Sequence, residues 1–175
     1  MARNRSRDYV NNKDFYDALV LYKQKCNEAR ERGEELPIIP NYIGECLQKI
    51  SQKIGSRGNF SNYPFRDDMV QEGIENCLMY IENFDPEHDK KNPFGYFSRV
   101  IWWAFLRRIA KEKKELYTKY KSSQEMISMC ETYVGGNEIN LNLNTSADYI
   151  NSFIEEYESK ELEKKNKSKP SKDAE

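Results

Sequence analysis

Histidine occurs once in this chain, at His88, and the four cysteines, Cys26, Cys46, Cys77 and Cys130, stand far apart with no CxxC pair. No zinc cluster can be assembled from such a set. His88 sits in a charged loop, where solvation is its ordinary state, and the clustered carboxylates lack the histidine or cation partners of a metal or acid/base site. The sequence therefore predicts no enzyme, no metal, no cofactor and no small-molecule substrate. No apolar run approaches the ~20 residues that span a bilayer, and the opening MARNRSRDY has no signal-peptide centre. The expectation is a cytoplasmic protein without a membrane partner, its cysteines small buried hydrophobes in a reducing compartment, with Cys46 and Cys77 on or beside apolar helix faces. Glycine and proline are few and fall at apparent element boundaries, as in a helix-rich domain, and 175 residues suit one domain with tails.

Taken in order, the chain alternates helical stripes with breakers. Arg3, Arg5 and Arg7 lack apolar anchors, so 1–8 is expected to be a disordered basic terminus. Asn11 or Asn12 can cap a helix whose Phe15, Leu19, Tyr22 and Cys26 share one face and which ends near Gly33. Pro37 and Pro40 force an extended connection. A second helix places Ile43, Leu47, Ile50 and Ile54 inward and stops at Gly55. The third, from about Arg66 to Asn83, is expected to bury Val70, Ile74, Cys77, Leu78 and Ile81, with Asp68, Gln71, Glu72 and Glu75 outside. Asn92-Pro93 starts a fourth helix. There Phe94, Phe97, Ile101, Phe105 and Ile109 take one side, with Trp102 at its edge, and Tyr96, Arg99, Trp103, Arg107, Lys111 and Lys114 take the other.

The third and fourth helices organise the rest. Between Arg66 and Asp89 there are eight acids and one base, and between Tyr96 and Lys121 eight bases and two acids. A net charge of −1 hides these blocks, and opposite local charges imply two different partners. Exposed rings interleaved with cations suit single-stranded or opened nucleic acid, because rings stack on unpaired bases at roughly 1 to 3 kcal/mol each while Arg and Lys neutralise phosphate. Two or three such side chains can offset the few kcal/mol needed to unstack a step. After Lys121 the pattern weakens. Residues 122–147 are expected to be a loosely structured linker, 148–160 a short amphipathic segment and 161–175 a disordered lysine-rich tail.

The motifs DDMVQEG and NFD, followed by an aromatic helix with a WW pair and RRI, resemble region 2 of bacterial sigma factors. More closely, YVNNKDF, FSNYPFRDDMVQEGIE, NFDPEHDKKNP and RRIAKEKKE resemble the late-transcription sigma factors of T-even-type bacteriophages, over about Tyr9 to Tyr120. The resemblance implies an all-α, sigma region-2-like helical bundle over 9–121 with a disordered or loosely helical C-terminal tail. It implies that Asp68, Gln71, Glu72 and Leu78 bind the clamp helices of the largest subunit of host core RNA polymerase, and that the following helix reads and opens an A/T-rich element of promoter DNA just upstream of the start site. Tyr96 falls on the family's base-capturing tyrosine, and Trp103 and Arg107 on positions facing the upstream edge of that element. Arg99, Lys111 and Lys114 join them as the DNA-binding set. The sequence departs from the family in one respect: anchored on Tyr96, the tandem tryptophan wedge would fall at Arg99 and Val100, about one turn before Trp102-Trp103. Arg99 then suits phosphate, and Trp103 stacking or apolar contact.

No distal helix-turn-helix follows Lys121. In the phage family a C-terminal hydrophobic and acidic peptide binds the DNA sliding clamp instead, and the nearest match is YINSFIEEYE, with Ile150, Phe153, Ile154 and Tyr157 as apolar teeth. A sliding clamp and a co-activator are therefore further implied partners. The main reading is a late sigma factor acting in a bacterial host cytoplasm. The alternatives are a polymerase-binding adaptor or co-activator that never touches bases, and an enzyme acting on nucleic acid.

Overall fold

The structure, a computed structural model, describes residues 10–87, 92–134 and 144–167. The expectations for 1–8, for His88, for the 135–143 part of the linker and for 168–175 lie outside these residues. The fold is all-α, with α1 Asn12–Arg32, α2 Asn41–Gly55, α3 Arg66–Met79, α4 Pro93–Val134 and α5 Asn144–Lys167, and a short 3-10 turn at Ile81–Asn83. No helix among the described residues is long and apolar enough to cross a membrane. The chain divides into two compact units, Met1–Ile109 and Ala110–Glu175.

In the first unit, local chemistry sets the helix ends. Asn11 caps α1 by accepting a hydrogen bond from the Lys13 amide at 3.0 Å, and Gly33 closes it at φ 68°, donating to the Ala29 and Arg30 carbonyls. Asn92 accepts from the Gly95 amide at 2.9 Å, while Asn12, at the start of α1, accepts from the Phe94 amide at 3.2 Å. The first turn of α4 is thus capped partly by its own flank and partly by α1. The stripes predicted for α1 and α2 are buried throughout. Phe97, Ile101 and Phe105 are fully buried, joined by Ala104, while Phe94 and Ile109 pack at the edge.

The third helix differs from expectation. It ends at Met79, and its buried positions are Met69, Gly73 and Cys77, whereas Val70, Ile74 and Leu78 are only half-buried. The reason is close approach. A β-carbon on Gly73 would lie 2.9 Å from Ser51 Oγ, 3.0 Å from Phe105 and 3.1 Å from Ile101, so α2, α3 and α4 meet where a side chain is missing. Ser51, fully buried, donates to the Val70 carbonyl at 2.8 Å, which satisfies its hydroxyl. Past Tyr80 the 3-10 turn tightens the chain and sends Ile81 and Phe84 into the core.

In the second unit the chain is more helical than expected. The stretch read as a loose linker from 122 continues α4 to Val134, and the segment read as ending near 160 continues α5 to Lys167. Tyr117 stacks on Tyr157 with ring centroids 4.5 Å apart, and Tyr120 meets Phe153 edge-on at 5.4 Å. These pairs supply the packing that a single weakly amphipathic strip lacks.

Candidate functional site

The acidic face of α3 is only partly free. Asp68, Gln71 and Glu75 are exposed, Glu72 is partly covered and Leu78 is half-buried against the core. Arg108 reaches from α4 and donates to Asp68 at 3.1 Å and Glu72 at 3.5 Å, its guanidinium 6.0 Å from the centre of the Phe65 ring. Arg107 donates instead to the Asn76 side chain at 2.7 Å, and Asn76 donates to the Glu72 carbonyl at 2.7 Å. Neighbouring arginines on a helix point about 100° apart, so one of the RR pair holds the carboxylates while the other holds an amide. Sequence reasoning missed Arg108 and Asn76. The signal was the doubled arginine opposite an acidic helix.

The reading face of α4 within the first unit is split. Trp103 is 56% exposed and Arg99 and Arg107 are exposed, while Trp102 packs edge-on against Phe60 at 4.8 Å. The expectation that one tryptophan packs and its neighbour faces out is met. Tyr96, expected on the open face, is instead half-buried, with its ring centre 5.0 Å from that of Phe97 and 5.5 Å from that of Phe84. Its hydroxyl donates to the Tyr80 carbonyl at 3.3 Å. Burial, then the field of Cys77, pushes its pKa up. Tyr96 is drawn inward because Phe84, delivered by the 3-10 turn, fills the space beside it.

Cys26, Cys46 and Cys77 are buried and free, in line with their reading as small hydrophobes. Burial pushes the Cys77 thiol up to about 12, far from the thiolate that reactivity needs. Among the described residues no group of three or more His, Cys, Asp or Glu could hold a metal ion.

In the second unit Lys111 and Lys114 are exposed. The four apolar teeth of the expected clamp-binding peptide are not a free face: Ile154 is buried, and Ile150, Phe153 and Tyr157 are half-buried. The packing of α5 on α4 accounts for this correction, since Tyr120 and Tyr117 are the rings on which Phe153 and Tyr157 rest. No protein-family model matches the chain, and no curated protein matches its sequence.

Proposed function

We propose that this chain is a sigma-type factor that joins a bacterial core RNA polymerase through α3 and presents α4 to an A/T-rich promoter element, helping to open it. The observation that carries the reading is the partition of α4: Phe97, Ile101 and Phe105 are sealed in the core while Trp103, Arg99 and Arg107 face outward. An exposed indole between two guanidinium groups is suited to stacking on a displaced base while phosphates are neutralised. Lys111 and Lys114, exposed in the second unit, are the further candidate phosphate contacts. Asp68, Gln71 and Glu72 offer carboxylate and amide acceptors to a basic coiled coil, with Leu78 at the apolar edge. In this reading Tyr96 positions the turn before α4 and does not capture a base. A sliding-clamp contact through Ile150, Phe153, Ile154 and Tyr157 would require α5 to leave α4.

The test is abortive initiation by core polymerase plus this chain on supercoiled DNA carrying A/T-rich promoters. Short transcripts that depend on the chain support the proposal, and their absence at saturating polymerase binding sinks it. Joint replacement of Gln71→Ala and Glu72→Ala should weaken polymerase binding and, once polymerase is raised to saturation, leave binding to forked DNA unchanged. A second reading, an adaptor that never touches bases, is favoured by the internal use of Tyr96 and Arg107. It predicts polymerase binding without any polymerase-dependent affinity for a forked A/T-rich duplex.

A further inference from the structure

The face of α4 that seats α5 has an unusual composition for a helix seam. Lys113, Tyr117, Tyr120, Lys121 and Gln124 recur at i, i+4, i+7, i+8 and i+11, a single strip about 16 Å long. An apolar seam would carry Leu and Ile at these positions. Here rings alternate with cations and an amide. What lies on the strip is acidic: between Glu155 and Glu163, α5 carries five glutamates and one lysine.

The contacts resemble those of a bound strand. The Tyr157 ring lies over Tyr117 at 4.5 Å with only 17° between the planes, a parallel stack of the kind a base makes on an aromatic side chain. The Glu158 carboxylate accepts from the Tyr117 hydroxyl at 2.8 Å and from Lys121 Nζ at 3.1 Å, where a phosphate oxygen would find the same two donors. Asn151 accepts from the Gln124 amide at 3.0 Å. Hydrogen bonds from Tyr117 and Lys121 hold the Glu158 carboxyl below its ordinary range, whereas Glu156 is lowered chiefly by Lys160 of α5 itself, with the field of Lys113 a smaller addition.

We infer that this strip of α4 is a second binding surface, for single-stranded nucleic acid, and that α5 occupies it as an acidic, ring-bearing stand-in. Tyr117 and Tyr120 would stack on bases once α5 leaves, and Lys113 and Lys121 would pair with phosphates. Apart from the buried Ile154, this seam rests on half-buried rings and one ion pair, so it opens at low cost compared with a packed core, and a strand present at sufficient concentration displaces α5. This inference goes beyond the polymerase reading and is measured without polymerase, so either can fail alone.

The test uses the full chain and a fluorescein-labelled oligothymidine, read by anisotropy at low salt. Tyr157→Ala combined with Glu158→Gln should release α5, seen as faster amide exchange over 150–158, and tighten binding about tenfold, the worth of one stacking face. Ile154→Asp, which places a charge at a buried position, forces release by a second route and should give the same gain. Adding Tyr117→Ala and Lys121→Ala to either variant should abolish that gain. Glu163→Gln removes the same charge from a carboxylate 3.9 Å from Lys167 and should leave affinity unchanged. The inference is overturned if α5 is released without tighter binding, or if the gain survives loss of Tyr117 and Lys121. It is equally overturned if Glu163→Gln produces the gain, which would make net charge the cause.

Discussion

The two ends of α4 are held by different chemistries. In the first unit Phe97, Ile101, Ala104 and Phe105 are removed from water altogether, each large side chain contributing about 1.5 to 3 kcal/mol by burial alone. In the second, Tyr117 and Tyr120 are half-buried amphipathic rings bonded or stacked to α5. Water competes for such contacts at every moment, and other polar aromatic partners can too. One helix therefore carries a segment fixed in place and a segment whose cover is exchangeable.

The most severe way to break the comparison is in the core. Phe97→Ala should lower global stability by about 3 to 5 kcal/mol, measured by urea denaturation, whereas Tyr117→Ala should leave that transition in place and raise amide exchange only in α5. Equal losses would mean that the two segments are held alike. Gly73→Ala comes next. Its methyl would press on Ser51 Oγ, Phe105 and Ile101, and overpacking net of the better helix propensity should cost about 1 to 2 kcal/mol. A stabilised variant would show that the contact between α2, α3 and α4 has slack.

Trp103→Ala sharpens the contrast from outside. An exposed side chain should change stability by no more than about 0.5 kcal/mol, yet promoter opening should fall about tenfold if one stacking face is lost. Polymerase affinity should stay the same, and a parallel loss there would merge the two faces into one. The smallest effect is set by acid. The Glu158 carboxyl is held low in the folded chain by Tyr117 and Lys121, so the folded state binds fewer protons than the unfolded one. Its contribution is present above the ordinary carboxylate value of about 4.3 and fades as pH falls through the lower folded value. NMR shifts of the Tyr117 and Tyr157 rings should follow that fall, and Glu158→Gln should abolish the dependence.

Much of the first unit was legible because strong stripes and clear breakers agree. Asn11, Gly33 and Asn92-Pro93 mark helix ends by local chemistry, Gly55 falls on the last residue of α2 where Val70 packs close, and the α1 and α2 stripes are apolar at helical spacing. The α3 error has a definite origin. Periodicity weighs apolar side chains, so it favoured Val70 and Ile74, while the true contact runs through a glycine that periodicity counts as nothing. Tyr96 was misassigned because helical phase alone cannot register Phe84, which arrives from the preceding turn. In the second unit the extension of α4 past Lys121 was hidden, since SSQEMISMC carries no strong apolar stripe and the pairing of α5 with the polar, ring-bearing strip before it cannot be read from one helix alone. The expectation that one tryptophan of the pair faces outward needed only the wheel.

Asn12 carries a consequence for how the molecule assembles. Its side chain tops the first turn of α4 from 82 positions earlier in the chain, so that amide waits for its acceptor until the opening helix has docked. A contact spanning so much sequence is entropically slow to close. The first turn of the helix bearing the outward indole should accordingly settle late in folding, and a shortened version beginning after Asn12 would leave the Phe94 amide to water.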